Sequence, residues 1–341
     1  GLIQQMQRRY EISSVIISHD LGSVFRLADY VAMLHEGRIV AHGTPESIRD
    51  SEHAVVQRFV SVGGSGRLAA TKPATEESAH AQRGGAPIVE VRGLRKRFGD
   101  TEVLRGVDLD IPPREISVII GGSGSGKSVL LKHILGLFRP DGGTVRYKGA
   151  LLNEMSESQL EQMRTTIGML FQGAALFDSM SVWENVAFPL VERRHRVGSA
   201  ETKRRVAETL ERLRLSEIAK ASPADISAGQ RKRVGLARAI ITRPQLMIYD
   251  EPTTGQDPIM IRYVDDMIVE AHDAFELTTI VISHDMQSTF RIADRIAMVH
   301  EGTIAAWGSP AEVQASRKPE VRRFIFAGDA EQQAERGGAE G

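Results

Sequence analysis

Cysteine is absent from this sequence of 341 residues. That excludes disulfides and thiolate metal sites, and it agrees with a reducing compartment, the cytosol by default. Long apolar runs are missing as well. No segment approaches the roughly 20 consecutive apolar residues that a membrane-spanning helix needs, and the opening residues carry no signal-peptide pattern. Any membrane role is therefore expected to come through a partner. Nor does one sign of charge dominate: 43 Lys and Arg stand against 44 Asp and Glu, a formal net charge of -1. The chain as a whole gives no electrostatic reason to bind nucleic acid, and no local basic patch stands out.

What the sequence does contain is an unequal repeat. Residues 17–45, ISHDLGSVFRLADYVAMLHEGRIVAHGTP, return without a gap as residues 282–310, ISHDMQSTFRIADRIAMVHEGTIAAWGSP, at an offset of 265. The glycine-rich run 121–128 occurs only once. A chain with one beginning and two endings reads as the tail of one domain followed by a complete second one. The first residue is Gly rather than Met, which agrees with a piece excised from a longer tandem.

The expected organisation has four parts. Residues 1–61 are the carboxy-terminal fragment of a first domain, with strand-like residues 14–17 expected to lack their sheet neighbours. Residues 62–87, rich in Gly, Ala, Ser, Thr and Pro without hydrophobic period, read as a flexible linker. Residues 88–327 alternate strand-like and helix-like runs and form the complete domain. Residues 328–341 read as a disordered tail. Within the complete domain, 116–120 is a short apolar strand entering a glycine turn, 128–137 has helical spacing, and 246–249 and 279–282 suit buried parallel strands. The charged run 192–214 has apolar residues at helical spacing and reads as a surface helix.

GGSGSGKS, residues 121–128, satisfies G-x-x-x-x-G-K-S/T with a strand before it and a helix after. Gly121, Gly122, Ser123, Gly124, Ser125 and Gly126 let backbone N–H groups turn inward around phosphates, and the helix start running through Val129 adds a favourable dipole. Lys127 is expected to reach the β- and γ-phosphates and Ser128 to ligate Mg²⁺. The run LMIYDE at 246–251 is an apolar strand ending in two carboxylates, costly without a cation or substrate to meet them. Asp250 suits the Mg²⁺ shell, and Glu251 suits polarising the attacking water. ATP and Mg²⁺ are the cofactors these residues imply.

DISAGQ at 225–230, followed by RKRVGLARAI, resembles the signature motif of ABC-type ATPases, and the resemblance extends over nearly all of residues 88–327. It implies an α/β fold: a P-loop NTPase of ABC type with a mainly parallel core sheet, an antiparallel β subdomain and an α-helical signature subdomain. By the same resemblance Gln172 is the Q-loop glutamine that senses Mg²⁺, GQDP at 255–258 is the D-loop, and His284 is the switch histidine at the γ-phosphate. Phe98 takes the place of the ring that lies against adenine. Ile226 and Ala228 depart from the commoner LSGGQ, while Ser227, Gly229 and Gln230 remain. The family mechanism implies head-to-tail pairing of two such domains, Ser227 of one completing the phosphate site on Lys127 of the other.

The run FQGAALFDSMSVWENVAFPL, with GQDP, resembles the ATPase subunits of Mla/Mce-type lipid transporters. That implies an integral membrane permease as partner, MCE-domain and accessory subunits, a peripheral place on the cytoplasmic face of the inner membrane, and no nucleic acid. Leu176, Phe177, Met180, Val182 and Trp183 are candidates for a groove that takes a coupling helix of the permease. The alternative is a soluble tandem ABC protein acting on ribosomes or nucleic acid. His19 is the repeat's counterpart of His284, but residues 1–61 hold no phosphate loop, signature or carboxylate pair, so one hydrolysing domain is expected rather than two.

Overall fold

The computed structural model describes residues 2–18, 21–35, 37–63, 85–171, 173–192 and 198–326. Gln172, His19, most of the linker and the tail 328–341 lie outside the described residues. The chain divides into two compact units, Gly1–Ala69 with Gly255–Tyr263, and Ala70–Thr254 with Val264–Gly341.

The first unit holds α1 (Leu2–Tyr10), α2 (Leu21–Leu27), the antiparallel pair β1 (Val31–His35) and β2 (Arg38–Gly43), α3 (Pro45–Arg49) and α4 (Ala54–Gly63). Thr44 starts α3 by accepting from the Ser47 N–H, with Pro45 inside the first turn where its missing N–H costs nothing. Ile48 and Val56 are buried where α3 and α4 pack. Residues 12–18 form no strand. Val15 and Ile17 are 95% and 98% exposed, and Leu34 on β1 is 70% exposed.

The second unit opens with a long antiparallel ribbon, β3 (Val89–Phe98) and β4 (Thr101–Ile111). Next come β5 (Ile116–Ile120), α5 (Lys127–Ile134), β6 (Gly142–Tyr147), β7 (Ala150–Leu151), α6 (Glu157–Arg164) and β8 (Ile167–Phe171). The helices α7 (Val182–Val191), α8 (Ser199–Arg212) and α9 (Ala228–Ile240) lead to β9 (Leu246–Asp250). The chain then runs through α10 (Pro258–Phe275), β10 (Thr278–Ile282), α11 (Met286–Ile292), β11 (Arg295–His300), β12 (Thr303–Gly308), α12 (Pro310–Gln314) and α13 (Pro319–Ile325).

The main sheet has the order β12-β11-β5-β10-β9-β8, parallel except for the β11–β12 hairpin. A second, antiparallel sheet has the order β4-β3-β6-β7. This is the expected α/β layering, a mainly parallel core sheet beside an antiparallel one. A parallel strand covered on both faces reads as a continuous apolar run, and ISVII in β5 is buried at every position. Its Ile119 shares a core with Leu130 and Ile134 of α5, Leu94 and Leu104 of the antiparallel sheet, and Ile248 and Ile280. Helices α7 and α8 pack together, and α7 and α9 pack together, with α9 also against β8. The charged run expected as one helix over 192–214 is helical over Ser199–Arg212, and residues 193–197 lie outside the described set.

The hairpin of the repeat folds twice in the same way. β1 pairs β2 as β11 pairs β12, with Met33 opposite Ala41 and Met298 opposite Ala306, and the register shifts at the corresponding step in each. What differs is cover: Ile280, Ile282 and Val299, the counterparts of Val15, Ile17 and Leu34, are at most 1% exposed.

Candidate functional site

Four strands end together and so bring distant residues to one edge. Ile282 lies opposite both Ile119 and Asp250, and Phe171 lies opposite Asp250. The loops that follow carry Gly121–Ser128, Glu251 and His284. Ligands in open α/β sheets bind beyond the carboxyl ends of the strands, because there the loops and helix N-termini converge.

The phosphate loop is shaped by its glycines. Gly121 has φ of 151°, and a Cβ there would come within 2.3 Å of the Val299 carbonyl oxygen. Gly126, with φ of 109°, starts α5 in a left-handed conformation that leaves no side chain over the helix N-terminus. Lys127 folds back into the loop and donates to the carbonyls of Gly121 at 2.7 Å and Gly122 at 2.9 Å. Burial holds its ammonium below the ordinary lysine value, although Glu251 and Asp250 pull it the other way. The Ser125 hydroxyl is buried without a hydrogen-bond partner. A cationic side chain, an unpaired hydroxyl and a bare helix N-terminus around one glycine turn fit a polyphosphate.

Opposite lie the two carboxylates. Burial first, and then Glu251, push the Asp250 carboxyl above its usual range, against the pull of Lys127 and Lys132. A carboxylate in that setting is served by a cation. Among the described residues no group of three or more His, Cys, Asp or Glu could hold a metal. Mg²⁺ would accordingly rest on Ser128, Asp250 and the substrate's own phosphate oxygens, as is usual for this ion. Glu251 has φ of 48°, a backbone region that favours glycine, so its placement is imposed by its surroundings. Its N–H donates to the Ile282 carbonyl at 3.0 Å and its carboxylate accepts from the Thr254 hydroxyl at 3.1 Å.

His284 follows Ser283, whose N–H donates to the Ile119 carbonyl at 3.2 Å, and its own side chain is exposed. Phe98 ends β3, 45% exposed, edge-to-face with Phe138 at 5.6 Å. Ser227 is exposed at the start of α9 and forms a capping box with Gln230, while Gly229 is buried. Those bonds tie Ser227 to its own helix rather than to the phosphate loop. Of the groove candidates, Phe177 is 40% exposed and packs at a tilt against Phe188, ring centroids 4.6 Å apart, and Leu176, Met180 and Trp183 are half-buried. Val182 corrects the expectation: it is fully buried in the first turn of α7 and has no surface to offer a partner.

Two residues escaped the sequence reading. Lys232 on α9 is buried and donates to the carbonyl of Pro252, the residue after Glu251. Asp265 on α10 is 1% exposed. Its signal was present: it shares the helical face of Val264, Ile268 and Ala271, where a carboxylate needs a partner.

The family model described as ABC transporter matches residues 104–254. Over 237 residues the chain is 38% identical to the probable ribonucleotide transport ATP-binding protein mkl of Mycobacterium leprae, covering 70% of this chain and 68% of that one. It is likewise 38% identical over 240 residues to the methionine import ATP-binding protein MetN of Mesorhizobium japonicum, covering 70% and 65%. The chain thus spans about two thirds of the length of these relatives. The solved structure of cbiO1 from Clostridium perfringens, part of the ABC transporter complex cbiONQ, superposes with a TM-score of 0.63 at 28% identity, covering 71% of this chain and 96% of that one. The ATP-binding cassette MJ0796, a dimer in a post-hydrolysis state bound to ADP and Pi, gives 0.56 at 28% identity, covering 65% and 98%.

Proposed function

This chain belongs to the ABC transporter family of ATP-binding proteins, and from that premise we propose that residues 88–327 hydrolyse ATP to drive a membrane permease that moves phospholipid or another hydrophobic molecule. The observation that carries the ATPase reading is the shared strand edge, where Lys127, Asp250, Glu251 and His284 come from three loops to one place. Lys127 and the loop N–H groups hold the phosphates, Phe98 offers a ring to the base, and Ser128 and Asp250 hold the Mg²⁺ shell. Bound Mg²⁺ supplies charge neutralisation at the phosphates. Glu251 is the group that orients and polarises water, and His284, just after the strand between those of the phosphate loop and Glu251, is the group that contacts the γ-phosphate. Gln172 is read as linking this shell to the permease. The exposed Ser227 and the N-terminus of α9 serve the phosphate site of a second domain paired head to tail. ATP drives that pairing because it binds the closed pair more tightly than the open one.

The lipid reading of the cargo rests on the run from Phe171 to Leu190 with GQDP, and MCE-domain and accessory subunits go with it. The relative named for ribonucleotide transport supports a second reading, a nucleotide cargo. The relatives reported above are named for transport, which favours a permease partner over a ribosome. Among the described residues no helix is long and apolar enough to cross a membrane, which suits a subunit held peripherally at the cytoplasmic face by its permease. Residues 1–61 are read as the end of a second ABC ATPase domain, supported by the shared hairpin register.

The decisive experiment is ATP turnover by purified protein. Glu251→Gln should bind ATP as wild type does and lose turnover by about a hundredfold or more. Unchanged hydrolysis in that variant removes Glu251 from its role. Copurified phospholipid or nucleotide on the permease complex separates the two cargo readings.

A further inference from the structure

We infer that Asp265 is a positioning residue for His284: its buried carboxylate anchors α11, and α11 fixes the loop that presents the imidazole. The inference rests on the ATPase reading above. A carboxylate as buried as Asp265 is costly unless it is met by donors. The donors come from α11: the Ser288 hydroxyl donates to one oxygen, and Arg291 to the other at 3.2 Å. The second Arg291 nitrogen reaches the exposed Asp266. Helix α11 has seven residues, too few for its own hydrogen bonds to hold it in place, so tertiary anchors decide where it lies.

The chain of contacts from there to His284 is short. Asp285 caps α11, accepting from the Ser288 N–H at 2.9 Å, and its backbone carbonyl accepts from the Thr289 hydroxyl at 2.7 Å. Its own N–H donates to the Ser283 hydroxyl at 3.0 Å, and Ser283 is tied to Ile119 at the end of β5. His284 is thus the single residue between an anchor on the phosphate-loop strand and an anchor on α11. Ser288 belongs to both clusters, bonding Asp285 through its N–H and Asp265 through its hydroxyl. A shift of α11 is transmitted to His284 through a single residue of backbone, Asp285.

The charged groups facing Asp265 are Arg291 on α11, Asp266 beside it on α10, and Asp285 at the cap. Burial pushes its carboxyl up to about 7, with Asp285 adding to the rise and Ser288 and Arg291 opposing it. Asp265 loses its charge, and with it the ion pair with Arg291, progressively as pH falls through that value. The hold on α11 therefore weakens as pH falls through about 7, and turnover should fall with it.

The test uses the full-length protein, comparing wild type with Asp265→Asn over pH 6 to 8.5. The variant should lose about tenfold in kcat with KM changed by less than about twofold, and its profile should lack the acid limb near neutrality. The imidazole NMR signal of His284, assigned with His284→Gln, should move in Asp265→Asn, a readout independent of turnover. Wild-type kcat, an unchanged limb and an unmoved His284 signal would overturn the inference. If Asp265→Asn does not fold, Arg291→Gln decides by the same three readouts. An inactive wild type would count against the ATPase reading, while the NMR signal would still decide the anchoring.

Discussion

Lys127 and Lys232 are both buried lysines whose ammonium groups end on backbone carbonyls, and they differ in how they could be found. Lys127 lies six residues from Gly121, its acceptor, so the loop that defines its chemistry is contiguous and legible from the sequence. Lys232 meets Pro252 twenty residues on, and only the packing of α9 beside the end of β9 brings them together. Lys127→Ala removes a charge-assisted donor to phosphate and should weaken ATP binding by about 10 to 100-fold, measured by fluorescent nucleotide titration. Lys232 reads differently. Burial lowers its pKa below the unfolded value, so the unfolded chain holds the proton more readily and the folded state gains stability as pH rises. Lys232→Met removes that linkage. Urea titrations should show wild type gaining on the variant as pH rises toward the ordinary lysine value, and a pH-independent difference would count against the buried charge.

At the scale of elements, local signals are strong where a cap or a period is complete in a few residues. Ser156 with Gln159, Ser181 with Glu184, Ser227 with Gln230 and Ser309 with Glu312 each close a capping box, and each opens a helix. The signature carries one of these boxes, so under the proposed pairing Ser227 takes a second task beside the cap. Ser227→Ala should cost about 1 kcal/mol of stability through the cap. It should also reduce turnover by more than the lost cap explains, if the exposed hydroxyl serves a second domain's phosphate site as proposed. Ser227→Asp separates the tasks: it restores the cap and the thermal midpoint but sets a negative charge against phosphate, so turnover should stay low. Recovery of turnover with Asp would place Ser227 in the cap alone. The groove expectation failed at Val182 for a related reason: a run of apolar residues has one side toward the core, and sequence alone does not say which members take it.

Across the whole molecule the repeat becomes two copies of one local fold in two environments. β1 and β2 reproduce the hairpin of β11 and β12 down to the shifted step, yet Ile17 is exposed where Ile282 is enclosed between β5 and β9. Ile282→Asp should therefore collapse the second unit, a loss of about 3 kcal/mol or more from a buried, unpaired charge. Ile17→Asp should leave the thermal midpoint of the same chain within error. Equal losses at the two positions would show that residue 17 is as enclosed as residue 282. By itself the sequence determined the phosphate loop, the carboxylate pair, the capped helices, the alternation of strands and helices and the inequality of the two repeats, since each is written within a few consecutive residues. The tertiary structure alone decided in which copy of the repeat the strand residues are covered, that Lys232 braces Pro252, and that Asp265 anchors the helix behind His284. These depend on which distant strands and helices become neighbours, and burial is a property of that neighbourhood rather than of the residue.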